Sequence, residues 1–194
     1  MRKVGSVPDF KSPSLMFRLE DGLKFHLLSE RLYAPAVGLL GLSGGERVLD
    51  FGCGGGAGSK CILRRLGESG RLTCLDTSAY LLGKARKRLS RDSRASALAF
   101  VGDDIRSAGI EDGSFDAVFI SHVIHDIPRT ERSATVAAIV RAMADGARLA
   151  VREPTRPRHG VSPEEVRGLL GGAGLSEEGG EVSGHLFTSL FTKL

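Results

Sequence analysis

The sequence predicts an α/β protein with a doubly wound, mostly parallel seven-stranded sheet, an antiparallel last strand, helices on both faces and an N-terminal helical extension. Short, almost uninterrupted apolar runs alternate with segments of helical periodicity. Such runs are typical of strands buried on both faces, and the alternation implies right-handed crossovers between parallel strands. The tail has two strand-like pieces too close together for a helix between them, which predicts an antiparallel hairpin.

Five apolar runs predict the parallel strands, namely "RVLDF", "LTCLD", "ALAFVG", "DAVFIS" and "RLAVRE". Four segments predict the helices, namely "AGSKCILRRL", "SAYLLGKARKRL", "TERSATVAAIVRAMADG" and "SPEEVRGLLGGAG". The third helix should end at the glycine stop, Gly146. The fourth should begin with Ser162 as N-cap, Pro163 in the first turn and Glu165 as the reciprocal glutamate of a capping box.

The chain before the first strand has apolar residues at mixed spacings of three and four, which predicts two short helices. We therefore divide the chain into an N-terminal helical cover segment, 1–41, expected to be part of the acceptor site, and a main domain, 42–194. Five apolar or aromatic residues of the cover could roof an acceptor or simply form the packing face of a helix: Phe10, Met16, Phe17, Phe25 and Tyr33.

Composition favours one globular domain without a membrane-inserted segment. The 194 residues are 41% apolar, but there is no run of about 18 apolar residues and no continuous apolar leader. We therefore expect a cytoplasmic protein. The three cysteines lack the spacing of a disulfide framework or a zinc site.

The formal charge of +4 is concentrated in two stretches, Lys84–Arg94 and Arg152–His159. We expect the first to be the solvated side of a helix, and nucleic acid is disfavoured as a partner because no aromatic platform accompanies the charge. Residues of the second follow the fifth predicted strand and could hold an anionic acceptor, although loop solubility explains them equally well: Arg152, Glu153, Arg156, Arg158 and His159.

The stretch "VLDFGCGGGAGSK" joins a strand, a glycine turn and a helix, which is the pattern of a site for a nucleotide-like cofactor. Its glycines match the dinucleotide spacing, and Asp76 at the end of the second predicted strand can bind ribose hydroxyls. Asp50, two residues before the first glycine, would repel a pyrophosphate but suits the ammonium group of S-adenosylmethionine. Asp50 could also accept hydrogen bonds from loop amides.

Four ordered motifs resemble those of the class I S-adenosylmethionine-dependent methyltransferases: "VLDFGCGGG", "LTCLDTS", "FVGDD" and "DGSFDAVFISHVIHDI". The terminal "AGLSEEGGEVSGHLFTSLFTKL" is similar to the last two strands of that family. The resemblance covers Leu42 to Leu194, most of the chain.

The resemblance implies roles for several residues. Gly52, Gly54 and Gly56 would let the backbone approach the methionine part of the cofactor. Asp76, with Thr77 beside it, would bind the ribose. Asp103, with the backbone at Asp104 and Ile105, would meet the adenine. Ser121 and His122 would line the methionine end beside the transferred methyl group.

"SHVIHDIPR" places His122 and His125 near the predicted methyl-transfer end, three residues apart on a turn. Either histidine could act as a general base, or could only pack against the backbone. We expect no metal site, because only Asp126 lies at a spacing that could complete a coordination shell with the pair.

The sequence thus favours a methyltransferase that uses S-adenosylmethionine and modifies an oxygen, nitrogen or carbon atom of a small-molecule acceptor. Three alternatives stay open: an NAD(P)-linked oxidoreductase, a non-catalytic relative that binds the cofactor, and an RNA methyltransferase. The sequence does not specify the oligomeric state, and a homodimer is compatible with it.

Overall fold

The computed structural model describes residues 14–92, 98–157 and 159–194. The candidate residues Phe10 and Arg158 lie outside this part of the chain, as does the side chain of Phe17.

Six helices and eight strands follow one another along the described chain. The helices are α1 (Leu15–Leu23), α2 (Ser29–Leu39), α3 (Ala57–Leu63), α4 (Ala79–Leu89), α5 (Arg129–Ala142) and α6 (Pro163–Gly172). A π-helical segment, Lys24–Leu28, joins α1 to α2, and a 3-10 turn, Ile124–Asp126, precedes α5. The strands are β1 (Arg47–Phe51), β2 (Arg71–Leu75), β3 (Leu98–Val101), β4 (Phe115–Ser121), β5 (Met143–Arg156), β6 (His159–Gly160), β7 (Leu175–Ser183) and β8 (Leu186–Lys193).

The main sheet has the strand order β3-β2-β1-β4-β5-β8-β7. The first five strands are mutually parallel, and β8 lies antiparallel between β5 and β7. The predicted fold class is therefore confirmed. The two-residue strand β6, which was not predicted, forms a short antiparallel pair with the end of β5.

Two apolar cores lie on opposite faces of the sheet. One contains Ile139 of α5 and Leu170 of α6, and the other contains Val37 of α2 and Ile62 of α3. Neighbouring residues of β4, Val118 and Phe119, enter different cores. This double burial is the physical reason for the uninterrupted apolar runs in the sequence.

Two predicted helices end earlier in the structure, and one of them is α3, which ends at Leu63 rather than Leu66. Helix α5 ends at Ala142 rather than Gly146, because Met143 is already extended and pairs with Phe115 of β4. At α6, Ser162 caps the amide of Glu165 as predicted, with an N to Oγ distance of 3.1 Å. The Glu165 carboxylate, however, accepts a hydrogen bond from Arg132.

Within the described ranges, no helix is both long enough and apolar enough to cross a bilayer.

Candidate functional site

A cavity of about 570 Å³ lies at the carboxyl ends of the parallel strands, where open α/β sheets bind ligands. This volume is within the usual range of small-molecule sites. Ten of the twelve residues named from the sequence line the cavity: Asp50, Gly52, Gly54, Asp76, Thr77, Asp104, Ile105, Ser121, His122 and His125. The other two, Gly56 and Asp103, are not among its lining residues.

The glycine turn fits tightly against the loop that follows β4. Gly52 has φ +72°, and a Cβ atom there would overlap both methyl groups of Val123. The amide of Gly52 donates to the Leu75 carbonyl at 2.8 Å, which links the turn to the end of β2. A side chain at position 52 would therefore push apart two walls of the cavity.

Asp50 is buried at the end of β1, where it accepts a hydrogen bond from the Ser59 hydroxyl at 2.5 Å. Burial raises the pKa of Asp50 to about 7 against the opposing effect of the Ser59 hydrogen bond, and the nearby Asp76 charge adds to the rise. Near neutral pH this carboxyl group is therefore divided between its two protonation states. A cationic ligand group beside it would favour the carboxylate.

Asp76 follows β2 and helps to hold the glycine turn. One of its oxygens accepts from the Gly54 amide and the other from the Ser78 amide, both at 2.8 Å. Burial raises the pKa of Asp76, while these two hydrogen bonds oppose the rise. A carboxylate oxygen can accept more than one hydrogen bond, so Asp76 retains capacity for a pair of ligand hydroxyls.

The wall after β3 carries the residues that the resemblance relates to adenine. Ile105 is buried and lines the cavity, and Asp104 lines it while forming an ion pair with Arg106 at 2.5 Å. Asp103 is exposed, and the structure does not bring it into the cavity. On this wall, the apolar side chain of Ile105 therefore faces the cavity beside Asp104, whose carboxylate is paired with Arg106.

His122, directly after β4, has φ +60°, the only positive φ of a non-glycine residue in the described ranges. Its amide donates to the Arg152 carbonyl at 2.8 Å, and its Nδ1 lies 3.0 Å from the Ser121 hydroxyl. Desolvation by the surrounding protein atoms lowers the pKa of His122 to about 4, and the Arg152 charge contributes. The ring is therefore neutral at physiological pH where it lines the cavity.

His125 is held by Glu153, a fully buried acid near the end of β5. The Glu153 carboxylate accepts from the Val123 amide at 2.7 Å, the Ile124 amide at 2.9 Å and His125 Nδ1 at 2.8 Å. Burial works against the charged imidazole, but the hydrogen bond and charge of Glu153 outweigh it, so the pKa of His125 is raised. Glu153 thus fixes the orientation of the His125 ring through Nδ1, and Nε2 is the ring nitrogen left to act in the site.

Sequence reasoning missed this role of Glu153, which had been considered for an anionic acceptor. The available signal was an acid directly after the apolar part of the fifth predicted strand, on the carboxyl edge of the sheet.

The cover segment closes another side of the cavity. Arg88 of α4 forms an ion pair with Asp21 at 2.8 Å and donates to the Gly55 carbonyl at 2.9 Å. The Arg88 side chain is only 12% exposed, so the expectation that the charges of this helix are all solvated was wrong for Arg88.

The cover residues considered as a roof have different positions. Tyr33 lines the cavity, Phe25 is buried in a core, and Met16 is 76% exposed.

The chain matches a known protein family and several known proteins. Residues 48–146 match the family described as "Methyltransferase domain". A curated relative, ubiquinone/menaquinone biosynthesis C-methyltransferase UbiE of Saccharophagus degradans, is 25% identical over 64% of this chain and 49% of its own length. The chain thus spans about half the length of the curated relatives it matches.

Two solved structures have a similar fold. One is a SAM-dependent methyltransferase from Aquifex aeolicus, with a TM-score of 0.74, 19% identity and coverage of 91% of this chain and 98% of that chain. The other is the N-methyltransferase NodS from Bradyrhizobium japonicum in complex with S-adenosyl-L-homocysteine, with a TM-score of 0.71, 22% identity and coverage of 91% of both chains.

Proposed function

Because the chain belongs to the class I S-adenosylmethionine-dependent methyltransferases, we propose that it transfers the methyl group of S-adenosylmethionine to a small-molecule acceptor. One observation supports the proposal most strongly. Asp50 and Asp76, the two acids expected to bind the donor, line the same cavity as His122 and His125.

Three groups hold the donor. Asp76 receives the ribose hydroxyls, Asp50 faces the methionine ammonium, and the adenine packs at Ile105. The sulfonium then lies towards the end of β4, where Ser121 and His122 line the cavity. Methyl transfer is an in-line displacement, so most of the catalysis comes from alignment of the two reactants and exclusion of water.

The acceptor side combines imidazole, phenol and ammonium groups. His122, His125, Tyr33 and Lys24 line this part of the cavity. Since one cavity of about 570 Å³ takes both reactants, a small molecule fits better than a macromolecular acceptor. An acceptor that must lose a proton has two candidate bases: His122, which is neutral, and His125, which Glu153 orients.

A screen with labelled methyl donor and a metabolite library tests the proposal. The name of the UbiE relative is the reason to include quinone-type compounds in the library. We expect label transfer to at least one small molecule, and a rate loss of about 100-fold in His122→Ala or His125→Ala if that residue removes the acceptor proton. His185→Ala, at an exposed position between β7 and β8, is the matched control and should keep full activity.

Transfer to RNA but to no small molecule would overturn the proposal. Unchanged rates across pH in both histidine variants would exclude both residues as the base.

A further inference from the structure

Three possible metal ligands converge at the acceptor side of the cavity. His125 and Asp126 belong to the turn after β4, and His159 belongs to β6. Each offers one ligand atom, and these atoms all lie within 4.8 Å of one another. All three residues line the cavity.

One of the three pairs already has nearly the spacing of two ligands on one ion. His125 Nε2 lies 3.5 Å from a carboxylate oxygen of Asp126, near the edge of about 3.3 Å in a tetrahedral site with bonds of about 2.0 Å. The rings of His125 and His159 have centroids 4.8 Å apart. Two imidazoles on one ion, with N at about 2.0–2.1 Å, place their ring centres about 5.2 Å apart at a tetrahedral angle and about 4.5 Å apart at a right angle, so the observed distance lies between the two.

Neighbouring residues orient His125 for metal binding. The buried Glu153 binds Nδ1, an arrangement like the carboxylate–histidine–metal units in which an acid fixes the ring and raises its basicity. Arg132 donates to the carbonyl oxygens of His125 and Ile127, which fixes the backbone on either side of Asp126. His159 is exposed on the short β5–β6 hairpin, where its side chain can move by about 1.5 Å, the difference between a 4.8 Å spacing of ligand atoms and a tetrahedral edge.

We propose that His125, Asp126 and His159 form a binding site for one divalent transition-metal ion, with the remaining coordination positions open to the cavity. Two imidazoles and one carboxylate suit Zn²⁺, Fe²⁺ or Co²⁺ better than Mg²⁺ or Ca²⁺, which prefer oxygen ligands. The site could not be expected from local sequence, because His159 is distant in the chain and joins the others only through the β5–β6 hairpin.

The use of the ion rests on the proposed function. An ion here lies on the acceptor side, where it can bind an oxygen or nitrogen of the acceptor and lower the pKa of a hydroxyl group. His125 is then a ligand through Nε2 and not the general base. The acceptor class that fits is a small molecule with a metal-binding hydroxyl, carbonyl or amine group.

Metal titration of the full, tag-free chain after treatment with a chelator tests the site. We expect calorimetry with Zn²⁺ to give one ion per chain and Co²⁺ to give visible absorption bands. His159→Ala and Asp126→Asn should weaken Zn²⁺ binding by about 100-fold or more and remove the Co²⁺ bands. His185→Ala is the matched control and should bind both ions like the unaltered chain.

Absence of saturable 1:1 binding by Zn²⁺ or Co²⁺, or unchanged binding in both variants, would overturn this inference. Circular dichroism on the same samples distinguishes loss of the site from loss of folding, and the exposed His159 provides the variant least expected to disturb the fold. Titration with S-adenosylhomocysteine separates the two proposals, since failure of donor-site binding in the unaltered chain would contradict the proposed function alone.

Discussion

At the scale of single residues, the position and surroundings of Asp50 give the clearest indication of the kind of ligand that the cavity binds. Its position before the glycines favours a cationic ligand group over a pyrophosphate, and the structure adds its burial and its hydrogen bond from Ser59. Because the pKa of Asp50 is raised to about 7, part of the free chain carries a proton on this group near neutral pH, and the proposed binding of an ammonium group beside Asp50 would release that proton.

The affinity for S-adenosylhomocysteine should therefore depend on pH. Because the pKa of Asp50 is about 7 in the free chain and binding favours the carboxylate, Kd should rise as pH falls below 7, by up to about tenfold per pH unit. Above pH 7, Kd should level off. Calorimetric titration from pH 5.5 to 8.5 measures this profile.

Asp50→Asn is the matched variant. It should bind more weakly at pH 8 and keep only the part of the pH dependence that belongs to Asp76, whose pKa is also raised. A profile of the same steepness in Asp50→Asn and the unaltered chain would contradict the assignment of the ammonium group to Asp50.

Residues whose roles depend on distant partners could not be predicted in the same way. His122 and His125 were found because both follow one strand. Glu153 and His159 were placed near the same edge of the sheet from sequence, but their contacts with His125 depend on the pairing of β5 with β4 and β6 and could not be predicted.

At the scale of elements, the cover segment and α4 act together on the glycine turn. Arg88 links Asp21 of α1 to the Gly55 carbonyl, and a Cβ atom on Gly55 would overlap the carboxylate of Asp21. A side chain at position 55 would therefore displace the Asp21 carboxylate and the Arg88 guanidinium from their present positions. Periodicity predicted both helices, but it could not indicate which of the charges on α4 would be engaged.

Arg88→Gln should loosen the cover. It leaves the largely enclosed Asp21 carboxylate without its partner, so the free energy of unfolding should fall by about 1–3 kcal/mol. Urea unfolding measures that change, and limited proteolysis should show faster cleavage between residues 14 and 41.

Lys87→Gln, at the neighbouring exposed position, is the control and should change the free energy of unfolding by less than about 0.5 kcal/mol. Equal effects of the two substitutions would show that the Arg88 contacts do not stabilise the cover.

At the scale of the whole molecule, the sequence predicted the fold because strands buried on both faces leave a strong apolar pattern. The same pattern identified the edge of the sheet where the cavity lies, since parallel strands bring their carboxyl ends together. The ends of α3 and α5 and the strand β6 could not be predicted from this pattern. The end of α5 is set by pairing of Met143 with Phe115, a contact between residues far apart in the chain.

The central claim is that this edge binds a methyl donor, and calorimetric titration with S-adenosylhomocysteine and NADH tests it most directly. We predict micromolar binding of S-adenosylhomocysteine, weakened by about 100-fold or more in Asp76→Ala and unchanged in Asp145→Ala, a control at an exposed acid. Binding of NADH with no heat from S-adenosylhomocysteine would contradict it.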